Sequence, residues 1–345
     1  MITPQTPQPR RARRVFLTLA AAYPLLLLIL SLINTLQPKR TGFLGLSEVF
    51  APYLFLPLIL YVPLLFVRKT APLRILLIVC AVVYGLRFPP RLISASTQSS
   101  PGAIQLSVTS WNVLVGGWKD EITKVLQTKP AAIVGMVEAD WNWLSTDPTI
   151  AALYPYRAGV QAGGPVTGQV LLTTYPIIEQ GVIDSPPEVW SNVPRAIWAR
   201  LDVGLGRNII VVVAHPPPGK ICSRSTFPRS CYDTSTRDKQ LAIINAFVQP
   251  YLKAGAPLLL IGDFNVTERE PAYNDISSGL IDTHKAIGKG IGNTWGPGNT
   301  SSQLFPFLRI DYLFASPNLT PISTSVDCSA YGSDHCMLSG HFELK

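Results

Sequence analysis

Apolar positions along this chain follow two regimes. From Val15 to Leu36 no charge interrupts 22 residues, and Val49 to Val67 is a second uncharged run, of 19. At about 1.5 Å per residue, each is long enough for a bilayer core of roughly 30 Å. Ile75 to Leu86 adds 12 uncharged residues between Arg74 and Arg87. It spans only if those arginines snorkel or the helix runs on through Phe88. The pattern predicts two to three transmembrane helices, about 15–36, 49–67 and 72–88, in a membrane region 1–93. A signal peptide is the competing reading of the first run. Its length and the lack of a small-residue cleavage site argue against it. Ser94 to Gly102 (SASTQSSPG) has no apolar period and reads as a linker, 94–102.

From residue 103 to 345 the apolar runs shorten to strand length, and most end on a polar residue. Ile104 to Val113 ends with Trp111 and Asn112, and Ala131 to Glu138 (AAIVGMVE) ends on a carboxylate. Gly168 to Tyr175 and Ala196 to Val203 are further strands. Asn208 to His215 (NIIVVVAH) ends on histidine before PPPG turns the chain away, and Leu258 to Asn265 (LLLIGDFN) ends with Asp263 and Asn265. Residues two apart on an extended chain point the same way, which would present these last two together. Ile310 to Ala315 carries Asp311 early, and GSDH places Asp334 and His335 before a last apolar stretch. Helical spacing appears at Asp120 to Lys129, through Ile122, Val125 and Leu126, and at Thr236 to Gln249, through Leu241, Ile244, Phe247 and Val248. Hairpin-like pairs outnumber βαβ units, and no G-x-G-x-x-G phosphate loop occurs. The pattern favours a mixed-sheet α/β sandwich over a Rossmann fold.

Charge separates the two regimes. Residues 1–95 hold 11 of the 29 Lys and Arg and one acid, Glu48. The remainder carries 18 basic and 20 acidic residues, a net of −2. The formal +8 therefore belongs to the N-terminal part, and the following domain lacks the broad basic footprint of an avid nucleic-acid binder. With three spans and the N-terminus inside, seven basic residues lie on the cytoplasmic side against four outside, in keeping with the positive-inside rule. Three spans put the C-terminal domain outside the cytoplasm, and two would leave it inside.

Cysteines bear on the same question. Four fall into two close pairs, Cys222/Cys231 and Cys328/Cys336. Such pairs in an exported domain suggest disulfides, with unrelated thiols as the alternative. Zinc is disfavoured, because neither pair has a further ligand at the usual spacing.

Each polar strand end could be a cap or a solvated charge. Together Asn112, Glu138, His215, Asp263, Asn265, Asp311, Asp334 and His335 suit phosphoester hydrolysis. Hard oxygen ligands favour Mg²⁺ or Mn²⁺, and a carboxylate or histidine can activate water. Arg195 reads either as a solvated charge or as a phosphate ligand.

In order and rough spacing, SWNV, MVEAD, VVAHPPPG, IGDFN, RIDYLF and GSDH resemble the motifs of the endonuclease/exonuclease/phosphatase superfamily, over about residues 103–345. The resemblance implies a DNase I-like four-layer α/β/β/α sandwich with a metal-dependent site at one edge. It implies Glu138 as the main metal ligand, helped by Asn112, with Asp334 on the metal side. Asp263 would orient or deprotonate the attacking water, and Asn265 would place that water or the phosphate. His335 would contact the scissile phosphate, Asp311 would orient a histidine, and His215 would stabilise the pentacovalent phosphorus. Two departures are Val137, where many members carry Gln, and Cys336, which replaces a commoner basic or polar residue.

The expectation is a membrane-anchored, metal-dependent phosphoesterase in the cell (inner) membrane with an extracytoplasmic catalytic domain. Its partners would be the lipid bilayer and a phosphoester: a lipid headgroup, a small phosphodiester or nucleic acid. A DNA/RNA endonuclease of the same fold and a catalytically inactive membrane sensor are the alternatives. Oligomeric state and substrate do not follow from these residues. A transporter does not fit, because three spans cannot enclose a path without oligomerisation.

Overall fold

A computed structural model describes residues 9–67, 70–89, 91–92, 100–114, 118–161, 168–184, 196–221, 232–296, 306–329 and 331–345, with side chains from residue 14. Arg195, Cys222 and Cys231, the linker's first six residues and much of the 161–168, 220–236 and 288–303 loops lie outside these. The chain divides into an N-terminal unit, Met1–Pro90 with Cys222–Tyr232, and a larger unit, Arg91–Ile221 with Asp233–Lys345.

The N-terminal unit opens with α1 (Pro9–Leu36), followed by α2 (Gly42–Val49), α3 (Ala51–Leu54), a 3-10 helix (Leu56–Phe66) and α4 (Ala71–Arg87). Within α1, the 23 residues Arg14–Leu36 are long and apolar enough to cross a membrane, as a span or as a signal sequence. The run 49–67 is not one straight helix. Gly42–Val49 and Ala51–Phe66 meet at 85°. Pro52, just past the break, cannot donate to the Glu48 carbonyl and so ends the α-helical ladder there, and Pro57 and Pro63 keep the rest of the run from resuming a regular α-helix. Helix α4 holds 17 residues and includes Arg74. Glu48 joins three of these elements, accepting from Asn34 Nδ2 at 2.6 Å and pairing with Arg87 Nη2 at 2.5 Å.

The larger unit begins with β1 (Ile104–Asn112), α5 (Lys119–Thr128), β2 (Ile133–Ala139), α6 (Trp141–Thr146) and α7 (Pro148–Leu153). Next come β3 (Tyr156–Val160), β4 (Gly168–Thr173), β5 (Ile177–Ile183), β6 (Ala196–Asp202) and β7 (Asn208–Ala214). The two-residue strands β8 (Lys220–Ile221) and β9 (Tyr232–Asp233) flank residues 222–231, and α8 (Ser235–Lys253) follows. The last elements are β10 (Leu258–Asp263), α9 (Pro271–Ile276), β11 (Ile281–Asp282), α10 (Thr283–Ile287), β12 (Asp311–Ala315), β13 (Leu319–Asp327) and β14 (Met337–Leu344).

Two six-stranded sheets form, in the orders β13-β14-β1-β2-β4-β3 and β11-β12-β10-β7-β6-β5. Between them lies a core that includes Leu106, Ile133, Leu171, Val211, Val213, Leu259, Ile261 and Phe342. Helices α5, α6 and α7 supply Ile122, Val125, Leu144 and Ile150 to the outer face of the first sheet. Helices α8 and α9 supply Leu241, Ile244, Val248 and Ile276 to the second. The layering α/β/β/α explains the sequence pattern. Along β10, Leu259 and Ile261 enter the sandwich while Leu258 and Leu260 meet helices, so both faces need apolar side chains.

Each sheet is mixed about one parallel pair. β1 runs parallel to β2, with α5 between them in sequence, and β7 runs parallel to β10, with α8 between them. Antiparallel β14 lies beside β1, and antiparallel β12 beside β10. The C-terminal ends of four strands and the N-terminal ends of two therefore face the same edge.

Candidate active site

That edge collects the polar strand ends. Asn112 ends β1, Glu138 lies near the end of β2, His215 follows β7, and Asp263 ends β10 opposite Asp311 at the start of β12. His335 precedes β14. Asn112 ties the two sheets together. Its Nδ2 donates to Asp263 Oδ2 and to Glu138 Oε1, both at 3.1 Å. Its Oδ1 accepts from Leu114 N at 3.0 Å, so the oxygen faces the backbone and the nitrogen faces the carboxylates. Leu114, at φ +54°, provides that turn.

Glu138 owes its aim to an irregularity. The register of β2 against β4 shifts between Val137 and Ala139, and Glu138 takes φ +56°. A left-handed non-glycine residue in a strand is costly, and such bulges redirect side chains. Glu138 is thus not the last residue of its strand but the bulged one, half-buried and 3.5 Å from His215 Nε2 through Oε1. His215 Nε2 lies 3.7 Å from Asp263 Oδ2.

Asp263 and Asn265 meet by a different route from strand alternation. Asn265 has left the strand at φ +52°, its N donates to Asp263 Oδ1 at 2.9 Å, and its Nδ2 donates to Pro216 O at 3.0 Å. An Asx-type turn, not period two, makes the pair.

Opposite them sits His335, whose Nδ1 lies 2.9 Å from Asp311 Oδ2 while Nε2 lies 3.7 Å from Asp263 Oδ2. Thr294 Oγ1 donates to the same Asp311 oxygen at 2.6 Å and accepts from Asp311 N at 3.2 Å. Ser333 Oγ donates to Asn112 O at 2.6 Å and accepts from His335 N at 3.0 Å, fixing the GSDH turn on β1. Asp334 Oδ2 accepts from Trp295 Nε1 at 3.0 Å, with Oδ1 3.9 Å from His335 Nε2. Ser333 lay within a recognised motif. Thr294 and Trp295 lie in a loop without periodicity, so no pattern signal marked them.

Electrostatics follow from this crowding. Burial, and then the neighbouring Asp311 carboxylate, hold the Asp263 proton affinity well above the usual carboxylate range. Burial alone would lower His335. The Asp311 and Asp263 carboxylates outweigh it and push the imidazole up to about 10. Asp263, Asp311 and His335 each offer a ligand atom, all within 4.8 Å of one another. Glu138 joins Asp263 through the Asn112 amide. Buried carboxylates in excess of basic groups suit a hard divalent cation. Arg195 lies outside the described residues, so it has no place in this geometry.

The solved structures this chain resembles share its fold at low identity. An endonuclease/exonuclease/phosphatase from Bacteroides vulgatus aligns with TM-score 0.53 and 18% identity, over 70% of this chain and 99% of its own. A humanized D. rerio TDP2 gives 0.52 and 19%, over 70% and 99%. The human Nocturnin catalytic domain gives 0.53 and 18%, over 74% and 100%. No curated protein matches at the level of sequence. The family model described as Endonuclease/Exonuclease/phosphatase family matches residues 109–335, first to last of the site-bearing segments but for Ile104–Val108 and β14. The chain belongs to the endonuclease/exonuclease/phosphatase family.

Proposed function

We propose that this chain is a membrane-anchored, divalent-metal-dependent phosphoesterase that cleaves a phosphodiester or phosphomonoester by in-line attack of water. The observation that carries the reading is the Asn112 amide bridging Glu138 and Asp263 beside the His335–Asp311 pair. Mg²⁺ or Mn²⁺ would be held by Glu138, with Asp263 beside it through the Asn112 amide and Asp334 on the His335 side, and would neutralise phosphate charge and polarise the ester. Asp263, kept in place by the Asn112 and Asn265 amides, orients the attacking water and accepts its proton. His335, held through Nδ1 by Asp311, turns Nε2 towards the site as a donor to a phosphoryl oxygen. His215, on the other side of Asp263, offers a second such donor as charge builds on phosphorus.

Three features support an extracytoplasmic position in the cell membrane. α1 and α4 run in the same direction: Cys80 Sγ lies 3.5 Å from Pro24 O, and further along both helices Asn34 and Arg87 meet on Glu48. Two parallel spans need a return between them, which the bent 42–66 segment would supply. A chain whose basic N-terminus stays inside would then leave α4 on the outside. The Cys328–Cys336 disulfide favours an oxidising compartment.

The net −2 of residues 96–345 favours a lipid headgroup or small phosphoester over duplex nucleic acid. The test is hydrolysis by the full chain in detergent, with and without Mg²⁺ or Mn²⁺, across phospholipids, nucleotide phosphodiesters and DNA. Glu138→Gln and His335→Ala should each lose at least 100-fold in kcat, an order-of-magnitude expectation for removing a transition-state contact. Full metal-dependent activity in either variant refutes the roles. Preferential cleavage of DNA would favour the endonuclease alternative.

A further inference from the structure

We infer that Arg237 is a positioning residue for the Asp263–Asn265 turn. The inference rests on the phosphoesterase reading for the meaning of that turn. Arg237 sits near the start of α8 with 1% of its surface exposed. Its Nη1 donates to the backbone carbonyl of Asn265 at 2.7 Å. Nη2 lies 2.8 Å from Glu270 Oε1 and 3.1 Å from Asp238 Oδ1, and Nε donates to Asp238 Oδ1 at 3.1 Å. Glu270 in turn accepts from Thr267 N at 2.7 Å and from Thr267 Oγ1 at 3.2 Å through Oε2. One guanidinium therefore grips segment 265–270 at its first carbonyl and at its last side chain.

What it grips is a tight turn. Asn265 stands at φ +52°, a left-handed conformation that asparagine adopts more readily than other side-chain-bearing residues and that its own hydrogen bonds support. The Asn265 carbonyl lies in the peptide shared with Val266, so holding it fixes ψ of Asn265; once it is released, the residue can leave the turn in which its N–H meets Asp263 Oδ1 and its amide meets Pro216 O. Those two bonds connect the end of β10 to the chain just after His215. Arg237 thus acts on Asp263 and His215 through Asn265, from a helix that carries no site residue.

A plain structural role, an ion pair seating α8 on the sheet, makes a different prediction. An ion pair needs only charge, which lysine keeps. The carbonyl grip needs the planar fork, whose separate N–H groups reach a carbonyl and two carboxylates at once. Arg237→Lys should retain the fold and lose the grip. Val248, buried on the same helix against the sheet, provides the comparison: Val248→Ala loosens α8 while leaving the Arg237 bonds to Asn265 and Glu270 in place.

The experiment measures the full chain in detergent, with bis(p-nitrophenyl) phosphate and Mg²⁺ or Mn²⁺ as probe, alongside amide hydrogen exchange of segment 263–267. Arg237→Lys should lower kcat on the order of 10- to 100-fold, as loss of an outer contact to a site residue does, with KM within about threefold. Exchange in 263–267 should quicken. Val248→Ala should lower the melting temperature and change neither readout. A kcat within about twofold of wild type for Arg237→Lys, or unchanged exchange in 263–267, overturns the inference. If wild type hydrolyses no phosphoester, the phosphoesterase reading falls, and the exchange comparison still decides whether Arg237 holds the turn.

Discussion

Asn112 and Asp263 belong to different sheets, yet the amide nitrogen of one lies 3.1 Å from Oδ2 of the other. The bond crosses the sandwich where both parallel pairs end. It also places a neutral donor between two carboxylates that would otherwise repel across the gap, Glu138 and Asp263. Replacing Asn112 by Asp removes both donors and adds a third negative charge. We expect kcat to fall on the order of 100-fold, and the metal-free protein to lose stability. Added Mg²⁺ should recover part of the stability, read as a metal-dependent rise in melting temperature larger than that of wild type. An Asn112→Asp enzyme as active and as stable as wild type would show that the bridge is incidental.

The His335–Asp311 contact makes a pH prediction for metal-free protein. The folded-state affinity of His335 is raised to about 10, above its ordinary value near 6.5. The stabilisation it contributes is therefore fully present below about pH 6.5 and disappears as pH rises through about 10. In protein stripped with EDTA, ring-carbon NMR should find His335 still protonated at pH 8.5. Asp311→Asn should bring its titration back towards neutrality. A wild-type His335 that titrates near pH 6.5 would contradict the proposed electrostatics.

How far the fold could be read in advance varies element by element. Strands covered on both faces, such as Leu258–Asp263 and Asn208–Ala214, appear as unbroken apolar runs because each face meets a core. Of the strands that sequence patterning passed over, β3, β5, β11 and β13 are sheet edges, and β8 and β9 are only two residues long. Ile177–Ile183 leaves most of its residues partly or fully exposed, so little apolar signal survives. At the site, residue types at strand ends were legible, but what aims them was not. Glu138 is turned by a bulge and Asn265 by an Asx turn, both set by backbone torsions that periodicity does not encode. Thr294 and Arg237 act through hydrogen bonds to partners 17 and 28 residues away. Val49–Val67 reads as a span by hydropathy alone, whereas its prolines bend the segment it belongs to.

Gly262 shows how tightly the tip of β10 is drawn against β7. It adopts φ +138°, and a Cβ there would stand 2.0 Å from the Ala214 carbonyl oxygen. Backbone, not a yielding side chain, occupies that space. Gly262→Ala should destabilise by about 4 kcal/mol or more, or leave the chain insoluble. Chemical denaturation checks this, and a loss below about 1 kcal/mol would mean that the strands part easily there.

His284 predicts acid sensitivity away from the site. The ring packs against Gly288 and Gly292, where an added Cβ would lie 2.3 Å from it. Burial, then the Arg309 and Arg91 guanidiniums, lower its affinity to about 4, with the Gly290 backbone contact and the Asp282 carboxylate opposing. The unfolded chain therefore takes up a proton below about pH 6.5 that the folded chain refuses until about pH 4. Stability should fall across that window, by up to about 3 kcal/mol, and level off below it. Denaturation of wild type beside His284→Gln from pH 7.5 to 4.5 tests this. The variant should show the shallower pH slope, and equal slopes would assign the acid loss to other groups.

Cys336 follows His335 directly and is bonded to Cys328, eight residues earlier. Its N donates to Thr294 O at 2.7 Å, while the Thr294 hydroxyl holds Asp311 Oδ2, the atom that faces His335 Nδ1. The disulfide therefore pins one end of a closed path, from His335 through Cys336, Thr294 and Asp311 back to the imidazole. Closing so short a loop should be worth about 2–3 kcal/mol against unfolding. Reduction should lower the urea midpoint accordingly, and it should reduce kcat more than it raises KM, because the imidazole rather than substrate access is loosened. A Cys328→Ala/Cys336→Ala double variant should behave like reduced wild type and ignore added reductant. If fully reduced wild type, verified by thiol titration, keeps its midpoint and kcat, the Thr294 bonds alone hold His335 in place.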